Sequence, residues 1–245
     1  MRIIILTVLI GEFTACTTLD TNKVERPVGQ LYNEAMNFLE GGAFQAAAKV
    51  FAEVERQHPY SVWATKAQLM AAYAYYEGNR YDEAVIALHR FIQLHPSHRD
   101  AAYAYYVKAL CYYEQIIDVD RDQKMTVSAV NALQDVISRF PLSLYARASR
   151  LKLDLAIDNL AGKEMTIGRF YIQKQHYAAA INRFNTVIAN YQTTAHIPEA
   201  LHRLVESYTA LGLLHEARQV AAVLGANFPG SLWYHDSYSL ILKFS

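Results

Sequence analysis

One eight-residue pattern recurs along the chain and leaves little choice of fold. It sets a ring first, Ala three places on, and a large apolar residue four places after that. It reads Phe44-x-x-Ala47-x-x-x-Phe51, then Tyr81-x-x-Ala84-x-x-x-Leu88, then Tyr177-x-x-Ala180-x-x-x-Phe184. Steps of three and four place all three positions on one face of an α-helix. The second copy shows the period in full. Tyr81, Ala84, Val85, Leu88, Phe91 and Ile92 make one apolar stripe, with Asp82, Glu83, His89, Arg90 and Gln93 between them. The small Ala lets a neighbouring helix come close, and the large side chains fill the space above and below it.

A second helix precedes each copy and carries Ala-x-x-aromatic: Ala35 with Phe38, Ala72 with Tyr75 and, in a Gly form, Gly168 with Tyr171. Pro59 and Pro96 end the downstream helices, because proline removes a backbone donor and disfavours helix in the residue before it. Two helices per unit with these small and large positions describe the tetratricopeptide motif. Leu201, Leu204, Tyr208, Ala217, Ala221 and Pro229 fit a further unit. The Ala marker of the second helix falls at 47, 84, 129, 180 and 217, giving intervals of 37, 45, 51 and 37. The consensus is about 34. The excess is expected in the polar connection around Asp118, Asp120 and Asp122, and in one long helix over 142–175. The expected architecture is an all-α tetratricopeptide-repeat superhelix of about five helix pairs over residues 28–245. Its repeats fall near 28–59, 61–96, 97–141, 143–192 and 197–229, with a C-terminal segment after them.

Residues 1–15 differ in kind. Arg2 precedes an apolar run over 3–10, far below the ~20 residues of a membrane-spanning helix. A positive start, a short apolar stretch and small residues near a cut describe a secretory signal. Phe13-Thr14-Ala15-Cys16 resembles a bacterial lipobox, in which Cys16 becomes the lipid-bearing first residue through its nucleophilic thiolate. A plain cleaved signal with a chance cysteine is the other reading. Thr17 stands where Asp would direct inner-membrane retention, so the periplasmic face of the outer membrane is the expected location. Residues 16–27 show no period and read as a tether.

In a stack of helix pairs, the first helix of each pair lines the concave face. With Ala72 and Tyr75 packed against neighbours, the next residue along is turned about 100° toward the groove. Those residues are Tyr73 and Tyr76. Tyr113 follows Ala109 and Tyr112 in the same way, Tyr106 and Tyr103 lie two or more turns before it, and Tyr32 takes the like place in the first unit. A rigid ring tipped by a hydroxyl suits peptide recognition. For any one of these tyrosines, burial against an adjoining helix is the competing reading.

No Gly-rich phosphate loop, metalloprotease helix motif or nucleophile elbow occurs, so no catalytic residue, cofactor or metal is expected. His58 and His95 each precede a helix-ending proline, where a helix C-terminus favours partial positive charge. Cys111 lies in an apolar helix and reads as an inert core thiol. Asp118, Asp120 and Asp122 lack the Gly and terminal Glu of a calcium loop. They read as a solvated turn with Asp122 as a helix cap. Lys+Arg and Asp+Glu are equal at 23 each, which argues against a nucleic-acid partner.

Several segments are more specific than the repeat pattern. They are Leu31-Tyr32-Asn33-Glu34-Ala35, His58-Pro59-Tyr60-Ser61, the run Gln68 to Tyr76, Phe91-Ile92-Gln93-Leu94-His95-Pro96-Ser97-His98, Arg121-Asp122-Gln123 and Pro229-Gly230-Ser231-x-Trp233-Tyr234. On these the chain resembles the BamD family, lipoproteins of the outer-membrane β-barrel assembly machine, across its length beyond the leader. The resemblance implies five repeats, a lipid anchor at Cys16, N-terminal repeats that meet unfolded β-barrel precursors, and C-terminal repeats that dock on BamA among the other subunits. It maps the family's docking Asn-Arg onto Asn182 and Arg183. Arg183 also sits between apolar Ile181 and Phe184, where it can equally support the fold. A repeat lipoprotein coordinating cell-wall synthesis or division is the alternative function.

Overall fold

The computed structural model describes residues 25–119 and 121–244, and these form eleven α-helices with no strand among them. They are α1 (Val28–Glu40), α2 (Phe44–Gln57), α3 (Val62–Glu77), α4 (Tyr81–Leu94), α5 (Ala101–Tyr113), α6 (Lys124–Arg139), α7 (Leu144–Gln173), α8 (Tyr177–Asn190), α9 (Ile197–Ala210), α10 (Leu214–Asn227) and α11 (Leu232–Leu242). The leader, Cys16 and the tether up to residue 24 lie outside the described residues.

Two recurrent turns set the helix ends. After α1, α3, α7 and α9 one residue takes the left-handed region: Gly42, Asn79, Gln175 and Gly212. The amide just beyond it donates to the carbonyl of the marker aromatic five residues earlier, from Ala43 to Phe38, Arg80 to Tyr75, His176 to Tyr171 and Leu213 to Tyr208. That is the Schellman arrangement, which satisfies carbonyls otherwise left open at a helix C-terminus. After α2, α4, α6, α8 and α10 the chain leaves through a ring-bearing residue in one repeated non-helical conformation, with φ between −129° and −135° and ψ between 42° and 57°, namely His58, His95, Phe140, Tyr191 and Phe228. Pro follows four of the five and disfavours any further turn of helix. Ser61, Ser143 and Ser231 then cap the next helix by accepting the amide three residues on.

The marker residues meet where these helices cross. Ala47, Ala84, Ala129, Ala180 and Ala217 are fully buried, as are Ala35, Ala72 and Ala109 on the preceding helices. At the fifth pair Val205 takes the marker place beside Tyr208. Each helix packs on its sequence neighbours. The backbones of consecutive odd-numbered helices also come close, from α1 with α3 to α7 with α9, whereas those of consecutive even-numbered helices stay farther apart, and α4 reaches α2 through the long Arg90 side chain on Glu55. The stack therefore curves with α1, α3, α5, α7 and α9 inside and α2, α4, α6, α8 and α10 outside. This is the tetratricopeptide-repeat superhelix that the spacing predicts.

Helix α7 has 30 residues and runs about 45 Å, twice the length of its neighbours. Its first half packs on α5 and α6, and its second half on α8 and α9, so a single rod joins the two parts of the stack. The longer connection before α6 folds back on this rod, with Val119 lying against Gly162. The cap position of α6 is Gln123 and not Asp122 as expected; Asp122 stands one residue earlier, where its Oδ1 accepts the Lys124 amide at 3.2 Å. At the far end α11 rests on α9 and α10. The Trp233 ring lies 5.2 Å from the His202 ring, and Ser237 Oγ is 2.8 Å from His202 Nδ1. Arg203 reaches both Glu199 and Glu206, and Glu199 also accepts from Arg169 of α7. Burial alone would raise the Glu206 carboxyl, but His202 and Arg203 outweigh it and hold the group below the usual range.

Gly168 explains why one marker is not Ala. A Cβ built there would stand 2.4 Å from the ring of Phe184, which is fully buried. Gly168→Ala is therefore expected to be less stable. Overpacking costs about 1–3 kcal/mol, which exceeds the ~1 kcal/mol by which Ala outranks Gly inside a helix. Urea unfolding checks this; a midpoint at or above that of the parent chain contradicts the close crossing.

Candidate interaction surface: a tyrosine ladder on the inner face

The inner face carries a connected series of rings. Tyr73 and Tyr76 of α3 lie 6.3 Å apart, and Tyr73 is 6.3 Å from Tyr103 of α5. Tyr103 and Tyr106 both approach Tyr145 of α7, at 5.5 and 5.4 Å. Tyr81, at the start of α4, closes the near end 6.1 Å from Tyr76. All are partly exposed. Three successive inner helices thus present one aromatic band, because each contributes rings from the side that faces its inner neighbour.

The phenols are neutral hydrogen-bonding groups. Burial pushes Tyr76 up to about 12, with the Glu114 and Glu77 carboxylates adding to the shift. Burial also raises Tyr103 and, with Glu114, Tyr106. Tyr73 is raised first by its hydrogen bond to Glu77 and then by burial. The band is therefore apolar area edged with hydroxyls, with Glu77 and Glu114 bordering it. Among the described residues, no group of His, Cys, Asp and Glu is arranged to hold a metal ion, and no helix is long and apolar enough to cross a membrane.

Two expected groove residues stand differently. Tyr32 is only 5% exposed, so it is a core residue and not part of the open surface. It lies three residues before Ala35, which puts both on the same packed face. Its ring meets Phe51 at 5.4 Å and Trp63 at 4.8 Å, with the Lys66 ammonium on its remaining side. The positions in α1 that match Tyr73 and Tyr76 are Met36 and Leu39, both packed against the first core cluster. Tyr113 is partly exposed and, like Tyr106 and Tyr145, packs against the cluster of Ala109, Leu133 and Val136; it differs in that the Lys152 ammonium sits 4.2 Å from its ring centroid. Its face is thus occupied by a cation from its own chain. Tyr145 and Lys152 escape the sequence reading because the contact depends on α7 running beside α5. Its one local trace is the turn Pro141-x-Ser143-x-Tyr145, which parallels Pro59-x-Ser61-x-Trp63.

Asn182 and Arg183 lie on α8, on the outer side of the stack. Asn182 is exposed. Arg183 Nη1 donates to Glu164 of α7 at 3.2 Å, with its side chain 41% exposed. With Tyr171, Ala179 and Thr186 they line a shallow hollow of about 160 Å³. Arg183 thus holds a surface ion pair and still borders open space. Cys111 is fully buried, and burial pushes its thiol up to about 12.

Antiparallel helix pairs stacked by small-residue crossings, with an aromatic inner face, define a tetratricopeptide-repeat protein. Residues 24–224 match the model of the YfiO family, described as outer membrane lipoprotein. The chain belongs to that family. The outer membrane protein assembly factor BamD of Caulobacter vibrioides is 52% identical over 217 residues, covering 89% of this chain and 71% of the relative. The BamD of Rickettsia prowazekii is 48% identical over 225 residues, covering 92% and 90%. Among solved structures, the TPR2AB-domain:pHSP90-complex of yeast Sti1 aligns with a TM-score of 0.44 at 12% identity, covering 89% of this chain and 83% of that one.

The ionisation of Tyr76 supplies a direct check on its environment. Its phenol titrates near 10.0 when free and at about 12 in the fold, so the folded state favours the neutral form. That contribution is complete below about pH 10 and drains away as pH rises toward 12. Urea midpoints taken through this window are expected to fall, and to fall less steeply in Tyr76→Phe. Equal slopes would place the ring in ordinary solvent.

Proposed function

We propose that this chain is a non-catalytic scaffold for outer-membrane protein assembly. It is lipid-anchored at Cys16 on the periplasmic face of the outer membrane. Its tyrosine band holds unfolded β-barrel precursors, and its α7–α8 surface at Asn182 and Arg183 docks on BamA among the other subunits of the assembly machine. The repeat boundaries follow the five helix pairs, with the tether leading into Val28. The family match supports the cellular role. The single observation that supports the mode of action is the ring ladder from Tyr73 through Tyr103 to Tyr145.

The chemistry suits the task. An unfolded barrel precursor exposes alternating apolar side chains and unpaired backbone groups. Tyrosine offers rigid area to the first and hydroxyls to the second at low conformational cost. No contact in the band depends on one particular base, acid or metal, so many sequences can be held weakly and released. Arg183 is 41% exposed while it holds the more buried Glu164, so part of its guanidinium stays open to a partner.

Replacing Tyr103 and Tyr106 together by Ala is expected to lower affinity for an unfolded precursor about tenfold, from ~0.5–1.5 kcal/mol per ring. Fluorescence anisotropy with a labelled precursor peptide measures it, alongside circular dichroism for helix content. Unchanged affinity in a folded double variant removes the inner face from precursor binding. For the outer surface, Arg183→Glu is expected to reduce recovery of BamA from solubilised membranes while helix content stays native. If helix content is lost instead, Arg183 is a fold residue.

A further inference from the structure

The first half of α7 shows one face that no other helix covers. Leu144, Leu151 and Leu155 are 76%, 69% and 62% exposed, and Ala148 is partly exposed between them. Steps of four, three and four place these four residues in one straight stripe along about 16 Å of helix. The equivalent face on the second half of α7 is covered by α9, which begins beside Asp158, where the His196 ring is 3.5 Å from the carboxylate. Nothing covers the stripe before that point because α7 is twice as long as the helices that follow it. Arg147 and Asp154 flank the stripe on one side, both exposed. Among the described residues neither has an ion-pair partner.

We infer that this stripe pairs with the same stripe of a second copy, as an antiparallel two-helix seam about a twofold axis. Charge order singles out that occupant. The basic residue comes one heptad before the acidic one, so in an antiparallel pair each Arg147 faces the Asp154 of its mate, and the two contacts are identical by symmetry. The apolar layers match in the same register: Leu144 meets Leu155 of the second copy, and Ala148 meets its Leu151. A parallel pair would instead set like charges side by side. The seam is short, well below the ~1,600 Å² of a standard stable interface. Pairing is therefore weak in dilute solution and increases when copies are concentrated on one surface.

Sedimentation velocity on the full chain tests this over a concentration series reaching the high-micromolar range. A monomer–dimer equilibrium that moves with concentration is the expected result. Leu151→Glu should leave only monomer, with native circular dichroism, because the side chain supports nothing within its own fold. Arg147→Asp and Asp154→Arg should each shift the equilibrium toward monomer, and the double exchange R147D/D154R should restore it. A single monomeric species at every concentration overturns the inference, as does a double exchange that restores nothing. So does a chain that remains monomeric while Leu151→Glu reduces recovery of a different membrane protein, since the stripe then belongs to that partner.

Discussion

A helix crossing close enough to exclude everything larger than Ala is the constraint on which this structure depends. At each of the first four inner helices the marker is Ala35, Ala72, Ala109 or Gly168, and on the outer helices it is Ala47, Ala84, Ala129, Ala180 or Ala217. The Ala markers are fully buried. A small residue at the crossing brings two backbones together, and a ring a turn away then fills the wedge between them. Phe51 and Phe184, four residues after Ala47 and Ala180, do this and are among the largest fully buried side chains. Repeated along the chain, the same geometry makes each pair dock on the next in one orientation, so curvature accumulates. The inner helices end up close together and the outer ones apart.

Curvature is what turns a packing rule into a surface. The side of an inner helix that is not used for its own pair is brought against the next inner helix, and rings placed there meet across three repeats without being buried. The long helix α7 extends the effect. Because it serves two parts of the stack, Tyr145 at its start joins the band from α3 and α5, while its second half, through Glu164, organises the outer surface around Arg183. Its length also leaves an uncovered leucine stripe. The continuity of one rod therefore links three separate features of the surface.

The helix pairs, their Ala crossings and the long fourth-repeat helix were legible in the sequence because each depends on spacings within a few turns. The proline exits were legible for the same reason. The burial of Tyr32 was legible too, since it stands three residues before Ala35 on the same helix face, and assigning it to the groove passed over that spacing. Only its neighbours Trp63 and Lys66 from the next repeat were hidden. Tyr113 was legible as a face residue, but not the Lys152 that covers it. Tyr145 and the exposed leucines of α7 were invisible for a related reason: what lies beside a residue on a 30-residue helix depends on where α5 and α9 begin and end. Tertiary neighbours decide such positions, and local periodicity carries no record of them.

Site-specific photo-crosslinking in cells tests the division into an inner binding face and an outer supporting face most directly. A photoreactive residue is placed at Tyr145 in the band, or at Ile86, which is 70% exposed on α4. Adducts with newly made outer-membrane barrel proteins from position 145, and none from position 86, are the predicted result. Adducts from position 86 with none from position 145 would contradict it.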